Sequence, residues 1–167
     1  MVLTDADDDG THIKGLLINM IHFWWPELLK VPGFIKSMVT PVVKITKGKK
    51  SIDFKTLNEY NQWKDKNNMK GWSAKYYKGL GTSTANEAKH YFKTIDINQM
   101  FYEWGESTTD DICLAFQKNL ADDRKEWIRK FDKNTSETLN TPSITYNQFI
   151  HKELIHYSQA SVIRQIP

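Results

Sequence analysis

The chain has 167 residues, of which 40% are hydrophobic, 13% aromatic and 26% charged, a balance typical of a globular protein. A net charge of +3 does not by itself indicate nucleic-acid binding, so local clusters must decide that question. The single cysteine, Cys113, excludes an internal disulfide and favours a reducing compartment. We expect neither a membrane span nor a secretory leader, since no apolar run approaches about 18–20 residues.

The N-terminal residues predict a short strand, an acidic turn and a helix. Residues 1–4 (MVLT) have the composition of a strand end. Apolar residues then recur at the spacing of one face of an α-helix, which we place over residues 11–25. This stripe consists of Ile13, Leu16, Leu17, Met20, Ile21 and Trp24. Pro26 follows directly and predicts the end of the helix.

The middle of the chain predicts, in order, a hairpin, a helix, a strand and a helix, over residues 39–54, 56–66, 72–77 and 84–93. Gly48 lies at the centre of the hairpin. Thr56 and Thr84 are the expected N-caps of the two helices, because a glutamate follows each of them by three positions. The strand leads into the glycine-rich stretch KGLGTS.

The remainder predicts two helices over residues 107–131, a linker over residues 132–143 and a final amphipathic helix. The linker is rich in asparagine, threonine and serine, a composition typical of connecting segments. The final helix is indicated by the apolar positions Tyr146, Phe149, Ile150, Leu154 and Tyr157.

The stretch TDADDDG places four carboxylates within five residues: Asp5, Asp7, Asp8 and Asp9. A calcium-binding EF-hand loop would need a bidentate glutamate at its twelfth position, where this chain has Leu16. A solvated turn that caps the following helix, with Asp9 or Thr11 as the cap, explains one or two of the carboxylates. A magnesium site at the end of a strand explains a pair of them, because Mg²⁺ takes one or two carboxylates and completes its shell with water and phosphate.

Four stretches taken together resemble eukaryotic-type DNA topoisomerase II, a type IIA topoisomerase. They are TDADDDGTHIKGLLIN (4–19), KYYKGLGTSTANEAKHYF (75–92), LAFQKNLADDRKEW (114–127) and TYNQFIHKELIHYS (145–158). The acidic motif alone is shared by all Toprim enzymes, including primases. The combination of KGLGTS after a strand with DDRKEW downstream is much more specific.

The resemblance implies an α/β fold: part of a Toprim (Rossmann-like) sheet with flanking helices, followed by the first helix of a winged-helix domain. On this basis residues 1–131 form the C-terminal part of the Toprim domain and residues 132–143 form the linker. Residues 144–167 then form the start of the winged-helix domain, the DNA breakage-reunion domain.

The resemblance also implies roles for six residues. Asp5 and Asp7 match the family's Mg²⁺ ligands, and Asp9 is a weaker candidate close to the metals. The other three match residues near DNA: Arg124, Lys125 and Lys78. An adjacent arginine and lysine on a helix suit successive phosphates, which position DNA without reading its sequence. The alternative is a solvated helix face, paired with the neighbouring acids Asp122, Asp123 or Glu126.

Several family elements are missing from this chain. It has no EGDSA-like motif to supply the Toprim glutamate, and the nucleophilic tyrosine with its neighbouring arginine lies beyond the C-terminus. Tyr146 and Tyr157 match the region that leads into the winged-helix domain and not the nucleophile. Residues 159–167 depart from the family pattern and keep only Arg164, Ile166 and Pro167 of it. We therefore expect a fragment or split-gene piece, without a catalytic residue of its own and inactive alone.

For the intact enzyme, the resemblance implies ATP-dependent passage of one DNA duplex through a double-strand break, with Mg²⁺ and ATP as cofactors. The expected partners are double-stranded DNA and a second protomer, or separate chains that carry the missing domains, with no membrane. The expected location is the nucleus for a cellular source, and the host cytoplasm or a viral factory for a virus. The alternatives are a stand-alone DNA-binding module without catalysis and another Toprim enzyme, which KYYKGLGTS disfavours.

Overall fold

The computed structural model describes residues 1–55, 57–77, 83–132 and 141–165. The helices are α1 (Asp8–Trp24), α2 (Pro26–Leu29), α3 (Leu57–Lys66), α4 (Ala85–Lys93), α5 (Thr108–Phe116), α6 (Ala121–Lys130), α7 (Tyr146–Gln148) and α8 (Ile155–Arg164). The strands are β1 (Lys36–Met38), β2 (Val43–Lys47), β3 (Lys50–Phe54), β4 (Ser73–Tyr76), β5 (Gln99–Glu103) and β6 (Ser143–Thr145). Short 3₁₀ turns cover Ile95–Ile97 and Lys118–Leu120. A π-helical segment (Phe149–Leu154) joins α7 to α8, and we call these three elements the terminal helix.

The first sheet has the order β1–β5–β6, with β1 antiparallel and β6 parallel to β5. Val2 adds a parallel bridge to Ser37 on the outer side of β1, where its N–H lies 2.7 Å from the Lys36 carbonyl oxygen. The strand end predicted at residues 1–4 is thus confirmed as a single bridge. It leaves the acidic turn at the edge of this sheet.

The second sheet is antiparallel, with the order β3–β2–β4. Its β2–β3 hairpin confirms the predicted one, and Gly48 makes the turn with a φ of +59°, which favours glycine. Helix α3 packs on this sheet around a small core of Val43, Ile45, Phe54 and Tyr60.

The main core lies between the first sheet, α1, α5 and the terminal helix. Its fully buried side chains include Ile18, Tyr102, Ile112, Ile144, Phe149 and Ile150. The predicted amphipathic character of the final helix is confirmed, because Tyr146, Phe149, Ile150 and Leu154 all lie in this core. The terminal helix is therefore an integral part of the same hydrophobic core as the first sheet.

The buried face of α1 coincides only in part with the predicted apolar stripe. Ile21 lies in the core and Leu17 packs against it, as predicted. The other four stripe residues, Ile13, Leu16, Met20 and Trp24, are 45% to 64% exposed, whereas Ile18 is fully buried. The reason is the close approach of the terminal helix at Gly15, where an added Cβ would lie 3.2 Å from Leu154 Cδ1. Because Gly15 has no side chain, the face of α1 that packs against the terminal helix cannot be recognised from the spacing of large apolar residues.

The other predicted elements are confirmed as α3, β4, α4, α5 and α6, and α1 ends before Pro26 as expected. Thr84 and Glu87 form the predicted capping box of α4, while Thr56 and the glycine-rich turn lie outside the described residues. The proposed start of a second domain at residue 144 falls within β6, which pairs with β5. The division into 1–131, 132–143 and 144–167 stays a prediction. Among the residues that the structure describes, no helix is both long and apolar enough to span a bilayer.

Candidate functional site

The acidic turn caps helix α1 through Asp7. Its Oδ1 accepts a hydrogen bond of 2.7 Å from the Gly10 N–H, so the expected cap at Asp9 or Thr11 is wrong. Asp8 and Asp9 lie in the first helical turn, where negative charge is favourable against the helix dipole. Because a carboxylate has two oxygens and the cap engages one, capping and metal binding by Asp7 are compatible.

Gly10 allows the turn to fold back on the helix. A Cβ at this position would lie 2.1 Å from the Asp5 carbonyl oxygen, a distance that real contacts do not reach. The absence of a side chain at Gly10 therefore sets the position of the Asp5 backbone relative to the start of α1.

Asp5 and Asp7 line one cleft of about 620 Å³, together with Asp8. Lys14 of α1 and Glu153 of the terminal helix also line this cleft. Asp9 is not among the described residues that border this cleft. Its Oδ1 accepts a hydrogen bond of 3.0 Å from Arg164 Nη1 instead. The structure thus places two of the three predicted metal ligands on the same cleft, whereas the third pairs with Arg164 of the terminal helix.

The donor set of the cleft suits Mg²⁺, which takes one or two carboxylates and fills its remaining positions with water and phosphate. Within residues 1–55, 57–77, 83–132 and 141–165, no three histidine, cysteine, aspartate or glutamate side chains are grouped to hold a metal. The pair Asp5 and Asp7 therefore fits a magnesium site to which further ligands would have to be added.

Lys14 and Glu153 are cleft residues that sequence reasoning did not single out. Their charged groups lie 3.9 Å apart, and the two side chains are only 14% and 30% exposed. Burial lowers the pKa of Lys14 and raises the pKa of Glu153. Each shift is partly offset by the opposite charge of the other residue. The available signal was the position of Lys14 and Glu153 within two stretches predicted to be amphipathic helices, HIKGLL and HKELIH.

The start of α1 is also in contact with α8. The His12 and Tyr157 rings stack at 3.8 Å between centroids with an angle of 7° between their planes. Burial lowers the pKa of His12, while the charge of Asp9 opposes the shift. Together with the Arg164–Asp9 pair, this stack ties the acidic turn to the end of the terminal helix.

Two of the three predicted DNA-contact residues, Arg124 and Lys125, lie on α6. Arg124 Nη1 donates to the carbonyl oxygens of Leu114 and Gln117, at 2.9 and 3.0 Å. Lys125 Nζ lies 2.7 Å from Asp122 Oδ1 on the exposed side of the helix, as the solvated-face alternative expects. Neither residue is among the described residues that line the cleft. Lys78 lies outside the described residues.

Strand β4 and helix α4 are joined by a charged cluster around Glu87. Lys75 Nζ lies 2.9 Å from Glu87 Oε2, and the Tyr77 hydroxyl donates to Glu87 Oε1. Burial raises the pKa of Glu87, but hydrogen bonds from Tyr77, Thr84 and Lys75 outweigh it and lower the pKa to about 2. Glu87 is therefore a carboxylate that links the end of one element to the start of the next.

Most of the chain matches a known protein family. A family model described as the C-terminal associated domain of TOPRIM matches residues 38–162. The chain belongs to this family. It is 47% identical to "DNA topoisomerase 2" of Plasmodium falciparum, 46% to "DNA topoisomerase 2" of Arabidopsis thaliana and 44% to human "DNA topoisomerase 2-beta". Each alignment covers 100% of this chain.

The TOPRIM-associated fold also matches a solved structure. The DNA-binding, cleavage and re-ligation domain of Plasmodium falciparum topoisomerase II superposes with a TM-score of 0.94 and 47% identity, over 99% of this chain. The chain covers 23% of that solved chain and 11% to 12% of the three relatives above. The α/β fold is confirmed, as is the resemblance of this chain to a fragment of type II DNA topoisomerases.

Proposed function

We propose that this chain forms part of the Mg²⁺-dependent DNA cleavage and religation core of an ATP-dependent type II topoisomerase. The observation that carries the proposal is the acidic turn, where Asp5 and Asp7 line one cleft at the start of α1. Its support comes from relatives that are named DNA topoisomerases and from the matching cleavage-domain structure. The whole enzyme would act on double-stranded DNA as a dimer and would use ATP at a domain outside the chain.

Asp5 and Asp7 would hold the Mg²⁺, which when bound supplies positive charge to stabilise the reacting phosphate. The chain prepares this site in two ways: the capping bond orients the Asp7 carboxylate, and Gly10 lets the Asp5 backbone approach α1. Lys14 also lines the cleft, where its charge offsets that of Glu153, its partner at 3.9 Å. The nucleophile would come from outside this chain, so the chain alone is expected to be inactive.

Arg124 and Lys125 would contact the DNA backbone. A guanidinium has five N–H donors, and the two carbonyl contacts of Arg124 engage only one of its nitrogens. Lys125 is 77% exposed, and its ion pair with Asp122 is of the exposed kind that contributes little to stability. A phosphate would therefore compete with Asp122 for Lys125 at little cost to the fold.

Substitutions at Asp7 separate the metal role from the capping role. Asparagine is as good an N-cap as aspartate, so Asp7→Asn is expected to keep the free energy of unfolding. Asp7→Ala removes the cap as well and is expected to lower it by about 1 kcal/mol. The metal probe is Mn²⁺, followed through water proton relaxation of the 167-residue chain.

Both Asp7 variants and Asp5→Asn are expected to lose Mn²⁺ binding, whereas Asp65→Asn on the exposed side of α3 serves as the matched control. Wild-type affinity in Asp5→Asn and Asp7→Asn would refute the metal assignment. DNA binding by a wild-type chain that takes up no Mn²⁺ would instead favour the stand-alone DNA-binding module.

The DNA contact is tested by comparing Lys125→Ala with Lys130→Ala. Both lysines lie on α6 with side chains 77% and 74% exposed, and each is paired with an acid on the same helix. We expect only Lys125→Ala to weaken binding to a fluorescein-labelled duplex and to reduce the salt slope by about 0.9. Equal losses in the two variants would mean that the effect is one of net charge.

Catalysis is tested in a chimera in which this chain replaces the matching segment of Plasmodium falciparum topoisomerase II. Supercoil relaxation by the chimera is expected to need Mg²⁺ and to be abolished by Asp5→Asn. Relaxation by the purified 167-residue chain without added subunits would contradict the proposal.

A further inference from the structure

A polar network joins α5, α6 and the terminal helix, outside the cleft that holds the acidic turn. At its centre is Asp111, which is only 7% exposed. Asp111 Oδ1 lies 2.8 Å from His151 Nε2, and its Oδ2 accepts hydrogen bonds from Asn147 at 2.9 Å and Ser107 at 2.8 Å. Burial raises the pKa of Asp111, but these hydrogen bonds outweigh it and lower the pKa. Asp111 is therefore a carboxylate that accepts from all three partners.

The second nitrogen of His151 determines the tautomer of its ring. Trp127 Nε1 lies 2.9 Å from His151 Nδ1, and an indole N–H only donates hydrogen bonds. Nδ1 must therefore be the acceptor and carry no proton, which places the ring proton on Nε2, where it is donated to Asp111. His151 is thus a neutral link with one defined donor and one defined acceptor.

This link attaches α6 to the terminal helix. A second attachment is Arg124, three residues before Trp127, whose Nη1 donates to the Leu114 and Gln117 carbonyl oxygens at the end of α5. Lys125 lies between these two attachment points on the same helix. The direction in which α6 presents Arg124 and Lys125 therefore depends on both attachments.

We propose that His151 is a positioning residue that holds α6 in the orientation in which Arg124 and Lys125 contact DNA. It acts through Trp127 and makes no DNA contact of its own. The consequence for DNA binding rests on the function proposed above, whereas the tautomer and the Trp127 contact are tested without DNA.

The first test is NMR of the 167-residue chain labelled with ¹⁵N. We expect His151 to show a protonated Nε2 and an unprotonated Nδ1. The Trp127 indole proton should shift in His151→Leu, which has no acceptor, but not in His90→Leu on the exposed side of α4. A proton on Nδ1, or a Trp127 indole signal unchanged in His151→Leu, would overturn the proposal.

The second test is the anisotropy of a fluorescein-labelled mixed-sequence duplex. His151→Leu is expected to weaken binding by about threefold to tenfold, the range for one lost hydrogen bond. His151→Gln keeps a donor and an acceptor and is expected to restore binding to within about twofold. A folded His151→Leu variant with wild-type affinity would refute the positioning role.

Trp127→Phe removes the N–H donor and keeps the aromatic ring, so it decides the matter if His151→Leu does not fold. We expect it to weaken DNA binding by the same factor as His151→Leu, with no further loss in the double variant, because both remove one interaction. Wild-type affinity in Trp127→Phe would count against the proposal. If the wild-type chain itself binds no DNA, both the proposed DNA contact and the positioning role are refuted, whatever the NMR result.

Discussion

Gly10→Ala is expected to displace the acidic turn from the start of α1. The added Cβ would lie 2.1 Å from the Asp5 carbonyl oxygen and 3.0 Å from the Asp5 carbonyl carbon. Ordinary contacts of this kind are about 3.4 Å or more, so the Asp5 backbone has to move by about 1 Å. Because the neighbour is backbone, no rotamer change relieves the overlap.

The expected cost follows from two opposing effects. Overpacking of this kind lowers the free energy of unfolding by about 1–3 kcal/mol. The higher helix propensity of alanine raises it by up to about 1 kcal/mol. We therefore expect the free energy of unfolding to fall by about 1–2 kcal/mol. Mn²⁺ binding should weaken as well, since Asp5 leaves its position beside Asp7.

The assays are urea unfolding and Mn²⁺ titration of the 167-residue chain. Gly105→Ala is the matched control, because a Cβ there would have its nearest neighbour at 3.9 Å, the Thr108 Oγ1. It is expected to change the free energy of unfolding by less than about 0.5 kcal/mol. If Gly10→Ala were as stable as Gly105→Ala and bound Mn²⁺ equally well, the reasoning on the acidic turn would be refuted.

Two further predictions concern stability. The pKa of Glu87 is lowered from 4.5 to about 2 in the folded chain, so its stabilising contribution is complete above about pH 4.5 and is lost as the pH falls towards 2. At neutral pH, Glu87→Gln is expected to cost about 1–2 kcal/mol after allowance for solvent screening. Its stability should depend less on pH in this acid range, and a parallel pH profile in urea unfolding would contradict the assignment. Ile18→Ala is expected to cost about 2–4 kcal/mol, because the side chain is fully buried, whereas Leu16→Ala, at 47% exposure, should cost less than about 0.5 kcal/mol. The two thermal melts compare the faces of α1 directly, and equal losses would show that the exposed stripe is packed in solution.

Most of the local structure could be predicted because its causes are local. The hairpin around Gly48 and the capping box of Thr84 and Glu87 each depend on a few neighbouring residues. The strands β1, β5 and β6 were not predicted, because they are short and take their pairing from distant parts of the chain. β6 shows this most clearly, since Ser143 was placed at the end of a linker and instead pairs beside Phe101.

The candidate site was predicted only in part. The acidic motif identified Asp5 and Asp7, which share one cleft. The pairing of Asp9 with Arg164 could not be read from the sequence, because 155 positions separate the two residues. The same holds for Lys14 with Glu153, a pair that forms only when the terminal helix packs against α1.

The sequence by itself determined the family, the order of most elements and the concentration of carboxylates before α1, because motifs, caps and turn residues act over a few positions. The tertiary structure alone decided which face of α1 is buried, which aspartate caps the helix and which one pairs with Arg164. It also decided that His151 accepts a hydrogen bond from Trp127 and donates one to Asp111. The physical reason is that these features depend on groups that come close to one another only in the folded chain. Gly10 and Gly15 allow neighbouring segments to approach α1 closely. The polar contacts of the terminal helix form only when segments remote in the sequence pack together.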